Sequence, residues 1–241
     1  MRYVKKLYGC SGPTSKVPIT LALLFEFAKK LSGWPCVSAM SQNDLVFLTA
    51  SVIAVLGFLR GGEFMTSPKS ERPVLTKEQV TIIDGKQITV FVSHPKGQWW
   101  HKGMEVQCFS DGKSTLDPVS LLKELWSRSS SASSLADPAF PMSDGAPLSK
   151  AFMLKKTDDL MKQCGIRFTD HLGVRVKCRA SAWRAGGVES ARGAGICDPV
   201  IMAQGRWSTI AWERYSVASL KDLQPNLGEC QEFWRPAGGI I

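Results

Sequence analysis

The spacing of apolar residues predicts helices near the start of the chain. Thr20 is a suitable helix N-cap, because its side-chain oxygen can accept a hydrogen bond from the first turn. Apolar residues then recur with helical spacing at Leu21, Leu24, Phe25, Ala28 and Leu31. A Gly-Trp-Pro sequence at 33–35 ends this helix. A second helix is predicted from about Gln42 to Leu59, and since it is apolar nearly all round it should be central in the fold.

The pattern then changes from helical spacing to short β-rich runs. Residues 80–83 and 86–92 are rich in strand-forming residues, and Asp84-Gly85 between them is a strong two-residue hairpin signal. A third short strand is predicted over 104–108. Together these segments predict a three-stranded antiparallel sheet.

Helical patterns return in the second half of the chain. Residues 118–127 are predicted to form a helix with Pro118 near its first position. A loop rich in serine, alanine and proline follows over 129–147. Further helices are predicted at about 149–164, 180–194, 199–204 and 208–220. Asp198 and Pro199 provide an N-cap and first residue for the third of these. The predicted fold class is α+β, a mostly helical domain with a small three-stranded antiparallel sheet.

Composition adds an indication of the partner. The chain has 241 residues, with 30 Lys+Arg against 21 Asp+Glu, a net charge of +9 and a pI near 9.3. This balance favours a polyanion such as nucleic acid or an anionic membrane surface. The most apolar stretch, Leu45 to Leu59, is short of the roughly 20 residues that a membrane-spanning helix needs. We therefore expect a buried core helix there and no membrane span.

The cysteines indicate a reducing environment. There are seven, an odd number, with no Cys-x-x-Cys pair and no secretory signal before them. We therefore predict neither a disulfide framework nor a zinc site. An intracellular location follows, the nucleus in a eukaryote or the cytoplasm in a bacterium or phage infection.

Three local sequences place a basic or nucleophilic residue at an element boundary. They are Gly57 to Glu63 around Arg60, Ser181 to Gly187 around Arg184, and Ile201 to Tyr215. Each has an ordinary structural interpretation when taken alone. Arg60 could cap a helix C-terminus, Arg184 could be a surface arginine stacked on tryptophan, and Tyr215 could be a half-buried packing residue.

Taken together, the three sequences resemble the tyrosine recombinase (integrase) family, in particular its phage-type and mobile-element members. The similar segments read GFLRGGEF around Arg60, WRAGGVESARGAG around Arg184 and IMAQGRWSTIAWERY ending at Tyr215. The 31-residue step from Arg184 to Tyr215 is also similar to that family. The resemblance covers roughly residues 18–220.

The resemblance implies a role for each of these residues. Arg60 and Arg184 would hold the non-bridging oxygens of a DNA phosphate, and Tyr215 would attack the phosphorus to give a 3′-phosphotyrosyl intermediate. Lys96, on the turn between the second and third strands, would be the general acid, with Lys102 as a competitor. The resemblance also implies a role for Glu63. It would orient neighbouring groups by hydrogen bonding, although a surface carboxylate is a second interpretation.

Two positions depart from the family pattern. Ser181 stands three residues before the second arginine, where the family usually has histidine, and serine is no general base near neutral pH. The position nine before Tyr215, usually histidine or tryptophan, is Arg206, with Trp207 one step later. Either of these two residues could donate to the phosphate. The departures bear on the rate of catalysis more than on the fold.

The function implied by the resemblance is site-specific DNA recombination or integration by strand cleavage and rejoining. The alternatives are a catalytically impaired DNA-binding remnant of a mobile element and a type IB topoisomerase-like enzyme. The expected partner is double-stranded DNA, bound by a homo-oligomer that is a tetramer in the family, without a cofactor or metal. The expected domains are a catalytic domain at 18–223, a linker or remnant of an N-terminal DNA-binding domain at 1–17, and a tail at 224–241.

Overall fold

The computed structural model describes residues 17–68, 74–93, 103–128, 134–169 and 176–207. In this part of the chain there are seven α-helices and three strands. The helices are α1 (Leu21–Ala28), α2 (Gln42–Leu56), α3 (Gly61–Phe64), α4 (Pro118–Ser127), α5 (Lys150–Gln163), α6 (Ala182–Gly193) and α7 (Asp198–Gly205). The strands are β1 (Val80–Ile83), β2 (Gln87–Val92) and β3 (Met104–Phe109). The predicted α+β class, mostly helical with a small antiparallel sheet, is confirmed.

Helix α2 is the centre of the fold, as its apolar sequence predicts. Every residue from Asp44 to Leu56 is buried, and the helix packs against α1, α4 and α6. Ser41 caps its start by accepting a hydrogen bond from the Asp44 amide at 3.2 Å. The predicted end at Leu59 was wrong by about one turn. The helix stops at Leu56 because Gly57 caps it and Phe58 takes a left-handed backbone conformation, with φ at 47°.

The sheet has the predicted three-stranded antiparallel form, with the order β1-β2-β3. Val80 pairs with Val90, and Val90 pairs in turn with Val106, so these three valines lie side by side on the core face. Asp84 and Gly85 both have positive φ, which is the requirement of the tight hairpin turn that their sequence predicts.

Helix α6 packs against the chain before α1 with almost no space between the backbones. The Ile19 amide donates to the Ala182 carbonyl at 3.0 Å, and Gly186 lies directly against the Ile19 backbone. The buried Trp183 indole donates to the Ser51 hydroxyl on α2 at 3.0 Å. These contacts fix the first turn of α6, which carries Arg184.

Two further sequence predictions concern helix ends and length. Asp198 was predicted to cap α7, but the cap is Cys197, and Asp198 and Pro199 are the first two residues of the helix. The predicted helix at 208–220 lies outside the described residues. Within the described ranges, no helix combines the length and apolarity needed to cross a membrane.

Candidate functional site

The predicted site residues divide into those that the structure describes and those outside it. Tyr215, Lys96 and Lys102 lie outside the described residues. The described ones are Arg60, Glu63, Ser181, Arg184, Arg206 and Trp207. Apart from Ser181, these residues are linked by contacts where the segment after α2, the start of α6 and the end of α7 meet. We call this group the arginine cluster: Arg60, Glu63, Arg184, Arg206 and Trp207.

Glu63 connects two of the three arginines. Its carboxylate accepts from the Arg60 amide at 2.7 Å, from Arg60 Nη1 at 3.1 Å and from Arg206 Nη2 at 2.8 Å. Its side chain is only 1% exposed, so Glu63 is not a surface carboxylate. Arg60 lies at the start of α3 in extended conformation and keeps 26% of its side chain exposed, so it is not a helix C-cap.

The environment of Glu63 favours its charged form. Burial by itself would raise the pKa of the carboxyl group, but the nearby Arg206 guanidinium, the Arg60 amide and the Arg60 guanidinium outweigh burial. The net result is a pKa below its ordinary value of 4.5. The cluster is therefore held together by a carboxylate that stays ionised at neutral pH.

This shift predicts acid sensitivity. A folded-state pKa below the unfolded one means that Glu63 stabilises the protein fully above pH 4.5, and that the stabilisation is lost as pH falls through the folded pKa. Glu63→Gln is expected to lower the free energy of unfolding by about 2 kcal/mol at pH 7, since buried Arg206 loses its counter-charge. The same variant should lose less stability than wild type on acidification below pH 4.5.

Urea denaturation at a series of pH values checks both parts of this prediction. The exposed β3 residue Glu105, changed to Gln, is the matched control for removing one carboxylate. If the free energy of unfolding fell equally steeply with decreasing pH in wild type and in Glu63→Gln, the role assigned to Glu63 would be contradicted. Some dependence on acid pH is expected to remain in the variant, because burial would raise the pKa of Asp44 but its pairing with Lys156 at 2.5 Å helps to hold that pKa below its ordinary value.

Arg184 joins the three segments of the site. It is 1% exposed, its Nη1 donates to the Phe58 carbonyl at 2.7 Å, and its Nη2 donates to the Gly205 carbonyl. Its guanidinium lies over the Trp207 ring, 4.0 Å from the ring centroid. The arginine does stack on tryptophan, but it is buried, and the ring belongs to Trp207 rather than to the adjacent Trp183.

Arg206 has an unusual backbone and an inward side chain. It ends α7 with φ at 59°, its amide donates to the Ala203 carbonyl at 3.0 Å, and the Trp207 amide donates to the Met202 carbonyl at 2.9 Å. These two bonds form a Schellman motif, in which glycine is the usual left-handed residue. The side chain is 3% exposed and reaches Glu63 and, at 3.3 Å, the Phe58 carbonyl.

Two residues of the site carry no sequence signal. The Phe58 carbonyl is an acceptor for both Arg184 and Arg206, and it points to them because Phe58 is in the left-handed region. The Gln204 amide donates to the Leu56 carbonyl at 2.9 Å and to the Gln107 carbonyl at 2.6 Å. Gln204 therefore fixes α7 against both the end of α2 and strand β3.

The architecture is shared with solved structures of DNA recombination proteins. A lambda integrase dimer bound to a COC′ core site aligns with a TM-score of 0.53 over 85% of this chain and 49% of that chain, at 12% sequence identity. A XerH site-specific recombinase bound to a palindromic difH substrate, in a post-cleavage complex, aligns with a TM-score of 0.54 over 87% and 52%, at 15% identity. The chain has the tyrosine recombinase fold.

The tyrosine recombinase fold is recognised here by structure and not by sequence comparison. No protein-family model matches the chain. No curated protein sequence matches it either. The chain spans about half the length of the two recombinases with which it aligns.

Ser181 is the remaining candidate of this recombinase-fold site. It immediately precedes α6 and is half-buried. Its carbonyl accepts a hydrogen bond from the Ala185 amide at 3.0 Å. Its hydroxyl makes no hydrogen bond to other residues in the described ranges. The side chain thus leaves a donor available beside the first turn of α6.

Proposed function

We propose that this chain is a site-specific DNA recombinase that cleaves and rejoins DNA strands through Tyr215. The observation that carries the proposal is the arginine cluster. Arg60 and Arg184 come from two motifs 124 positions apart in the sequence, yet Glu63, Arg206 and the Phe58 carbonyl link them into one buried network. The shared fold of two DNA-bound recombinases supports the same function.

Guanidinium groups suit the proposed reaction. Attack by a phenol on a phosphodiester places extra negative charge on the non-bridging oxygens, and planar guanidinium donors stabilise that charge. Arg60 and Arg184 would have this role. Metal ions neutralise the same charge in many other phosphoryl-transfer enzymes. Because the two guanidiniums would neutralise it here, the proposed chemistry needs no metal ion.

The proposed steps balance without a cofactor. The Tyr215 oxygen forms a bond to phosphorus, the bond from phosphorus to the 5′-oxygen breaks, and the phenolic proton passes to solvent water. The leaving 5′-oxygen takes a proton from Lys96, or from its competitor Lys102. The phosphotyrosyl ester retains the energy of the broken bond, so the 5′-hydroxyl of a second strand can reverse the step. Exchange between two duplexes is proposed to use the tetramer that the resemblance implies.

Exposed basic residues elsewhere in the described ranges support DNA contact. Arg167, Lys177, Arg179 and Arg192 are all solvent-exposed. Contacts of such side chains with backbone phosphates provide affinity and salt dependence without reading sequence. We propose that these side chains contact the backbone of the double-stranded DNA.

A suicide-substrate experiment tests the function. Nicked duplexes of randomised sequence release a short fragment on cleavage, so that a covalent protein–DNA complex accumulates. Wild type is expected to form a complex that resists denaturant, and Tyr215→Phe is expected to form none, because the nucleophile is absent. The absence of a complex from wild type over the whole randomised pool would overturn the proposal.

The same experiment separates the two alternatives. Salt-sensitive DNA binding without a covalent complex, unchanged in Tyr215→Phe, would identify a non-catalytic DNA-binding remnant, which the Ser181 departure favours. A covalent complex together with relaxation of supercoiled plasmid, and without strand exchange, would identify a type IB topoisomerase-like enzyme.

A further inference from the structure

We infer that Gln204 is a positioning residue for the proposed reaction, because its side-chain amide sets how the Arg184 guanidinium is held. This inference rests on the proposed function and adds a residue to which the resemblance assigns no role. Gln204 acts through two backbone carbonyls that Arg184 contacts, one from the segment after α2 and one from the end of α7.

The Gln204 amide joins three elements of the fold. Its Nε2 atom has two N–H groups, and it donates to the Leu56 carbonyl at 2.9 Å and to the Gln107 carbonyl at 2.6 Å. Leu56 is the last residue of α2, where the carbonyls of a helix lack partners within the helix itself. Gln107 belongs to β3, which lies at one edge of the described sheet. One nitrogen therefore connects the end of α7 both to the end of α2 and to the sheet.

The same two helix ends supply acceptors for Arg184. Its Nη1 donates to the Phe58 carbonyl at 2.7 Å, and Phe58 follows Leu56 by two residues. Its Nη2 donates to the Gly205 carbonyl, and Gly205 directly follows Gln204. The bond from Gln204 to Leu56 thus fixes the spacing between the two carbonyls that hold the guanidinium. Because the donors of a guanidinium form a rigid planar fork, this spacing determines where the group lies.

Helix α7 has little apolar packing of its own to impose the same spacing. Ile201 and Gly205 are its two buried residues, so few of its side chains reach the core. The support beneath Gln204 is compact by comparison. A Cβ atom on Gly57 would lie 2.7 Å from the Val106 side chain, so β3 packs closely against the end of α2. The two hydrogen bonds of Gln204 therefore hold the end of α7 against a firm base.

The consequence for the reaction concerns the charge on the non-bridging phosphate oxygens. Arg184 would stabilise that charge, and such stabilisation depends on donors that are already in place before the reaction. Without the Gln204 donors, the Gly205 carbonyl can move relative to the Phe58 carbonyl. The Arg184 guanidinium then either loses one acceptor or shifts with it. Gln204 thus affects the phosphate indirectly, through the placement of Arg184.

Urea unfolding tests the inference without DNA. Gln204→Met keeps the length of the side chain but removes both donors, so the free energy of unfolding should fall. In an Arg184→Lys background the fall should be smaller, because lysine has no planar fork whose placement depends on the spacing of two carbonyls.

Gln42→Met is the matched control. Gln42 is also half-buried, and its amide donates to the Pro141 carbonyl at 3.1 Å from the opposite end of α2. The effect of Gln42→Met on the free energy of unfolding should be the same in the wild-type and Arg184→Lys backgrounds, since the two sites share no partner.

Equal effects of Gln204→Met in the two backgrounds would overturn the inference. Gln204→Asn, which keeps the amide on a shorter side chain, replaces Gln204→Met as the deciding variant if thermal unfolding shows that the methionine protein is not folded. The proposed function does not depend on this result. Wild type could form the covalent complex while the two effects are equal. It could also fail to form the complex while they differ, which would overturn the proposed function and retain the placement of Arg184 by Gln204.

Cleavage rates on two substrates give a second readout, which a smaller fraction of folded protein would not reproduce. A methylphosphonate at the mapped cleavage site has a methyl group in place of one charged non-bridging oxygen, so its cleavage depends less on guanidinium groups. Gln204→Met is expected to slow formation of the covalent complex about 10- to 100-fold on the phosphodiester, as misplacement of a reacting or stabilising group does in other enzymes. The loss on the methylphosphonate should be several times smaller.

Two further variants complete the comparison. Gln204→Lys returns N–H donors to the position and should recover part of the rate on the phosphodiester. Gln42→Met should match wild type on both substrates. If Gln204→Met slowed both substrates equally, or if Gln204→Lys recovered no rate, Gln204 would not act through Arg184 and the inference would be overturned.

Discussion

Alanine at position 186 is expected to destabilise the protein by more than about 4 kcal/mol, enough to prevent stable folding at 37 °C. A Cβ atom on Gly186 would lie 2.8 Å from the Ile19 amide nitrogen and closer still to the Ile19 carbonyl. These are backbone atoms, and the bond from the Ile19 amide to Ala182 holds them in place. Neither segment can move without separating α6 from the core.

The measurement is the midpoint of thermal or urea unfolding, with Gly165→Ala as the matched control. Gly165 has a left-handed backbone, with φ at 67°, but nothing lies within 4 Å of the Cβ atom that alanine would add there. The control is expected to cost about 1–2 kcal/mol, for the left-handed backbone alone. If Gly186→Ala were no less stable than Gly165→Ala, the close packing of α6 against Ile19 would be incorrect.

Arg184→Ala is expected to lower the free energy of unfolding by about 4 kcal/mol. The substitution leaves the buried Gly205 carbonyl without its charged donor, removes the shorter of the two arginine hydrogen bonds to the Phe58 carbonyl, and removes the stack on Trp207. Because the loss separates three segments of the site, DNA cleavage should disappear together with stability. Chemical denaturation measures the first effect and covalent complex formation measures the second.

Arg184→Lys is the control for charge. Lysine keeps the positive charge but cannot reach two carbonyls with a planar fork, so an intermediate loss of stability is expected. An Arg184→Ala protein within 1 kcal/mol of wild type would contradict the structural role of this residue.

Local signals account for the parts of the fold that the sequence predicts well. Thr20 accepts from the Leu23 amide at 3.1 Å, Asp84-Gly85 forms the hairpin turn, and Pro118 begins α4. Each of these features depends on a few neighbouring residues, so the spacing and residue types suffice. Where tertiary packing decides, the prediction fails. Helix α2 ends a turn early because the Phe58 backbone turns toward arginines from distant segments.

The candidate site was predictable in its residues but not in its connections. The resemblance identified Arg60, Arg184 and Glu63, whereas no pattern indicates that the Phe58 carbonyl would serve two arginines. The position of the left-handed residue at the end of α7 was also not predictable. Glycine is the usual residue in such a turn, so the sequence would indicate Gly205. In the structure Gly205 packs against the Trp207 ring instead, and Arg206 is the left-handed residue.

The most direct test of the central claim is to locate the protein–DNA bond in the trapped complex. Wild-type protein is incubated with the nicked duplex pool, the complex is digested, and mass spectrometry identifies the peptide that carries a nucleotide. The account predicts attachment to Tyr215 through a 3′-phosphate, with a free 5′-hydroxyl on the released strand. Attachment to a different residue, or through a 5′-phosphate, would contradict it.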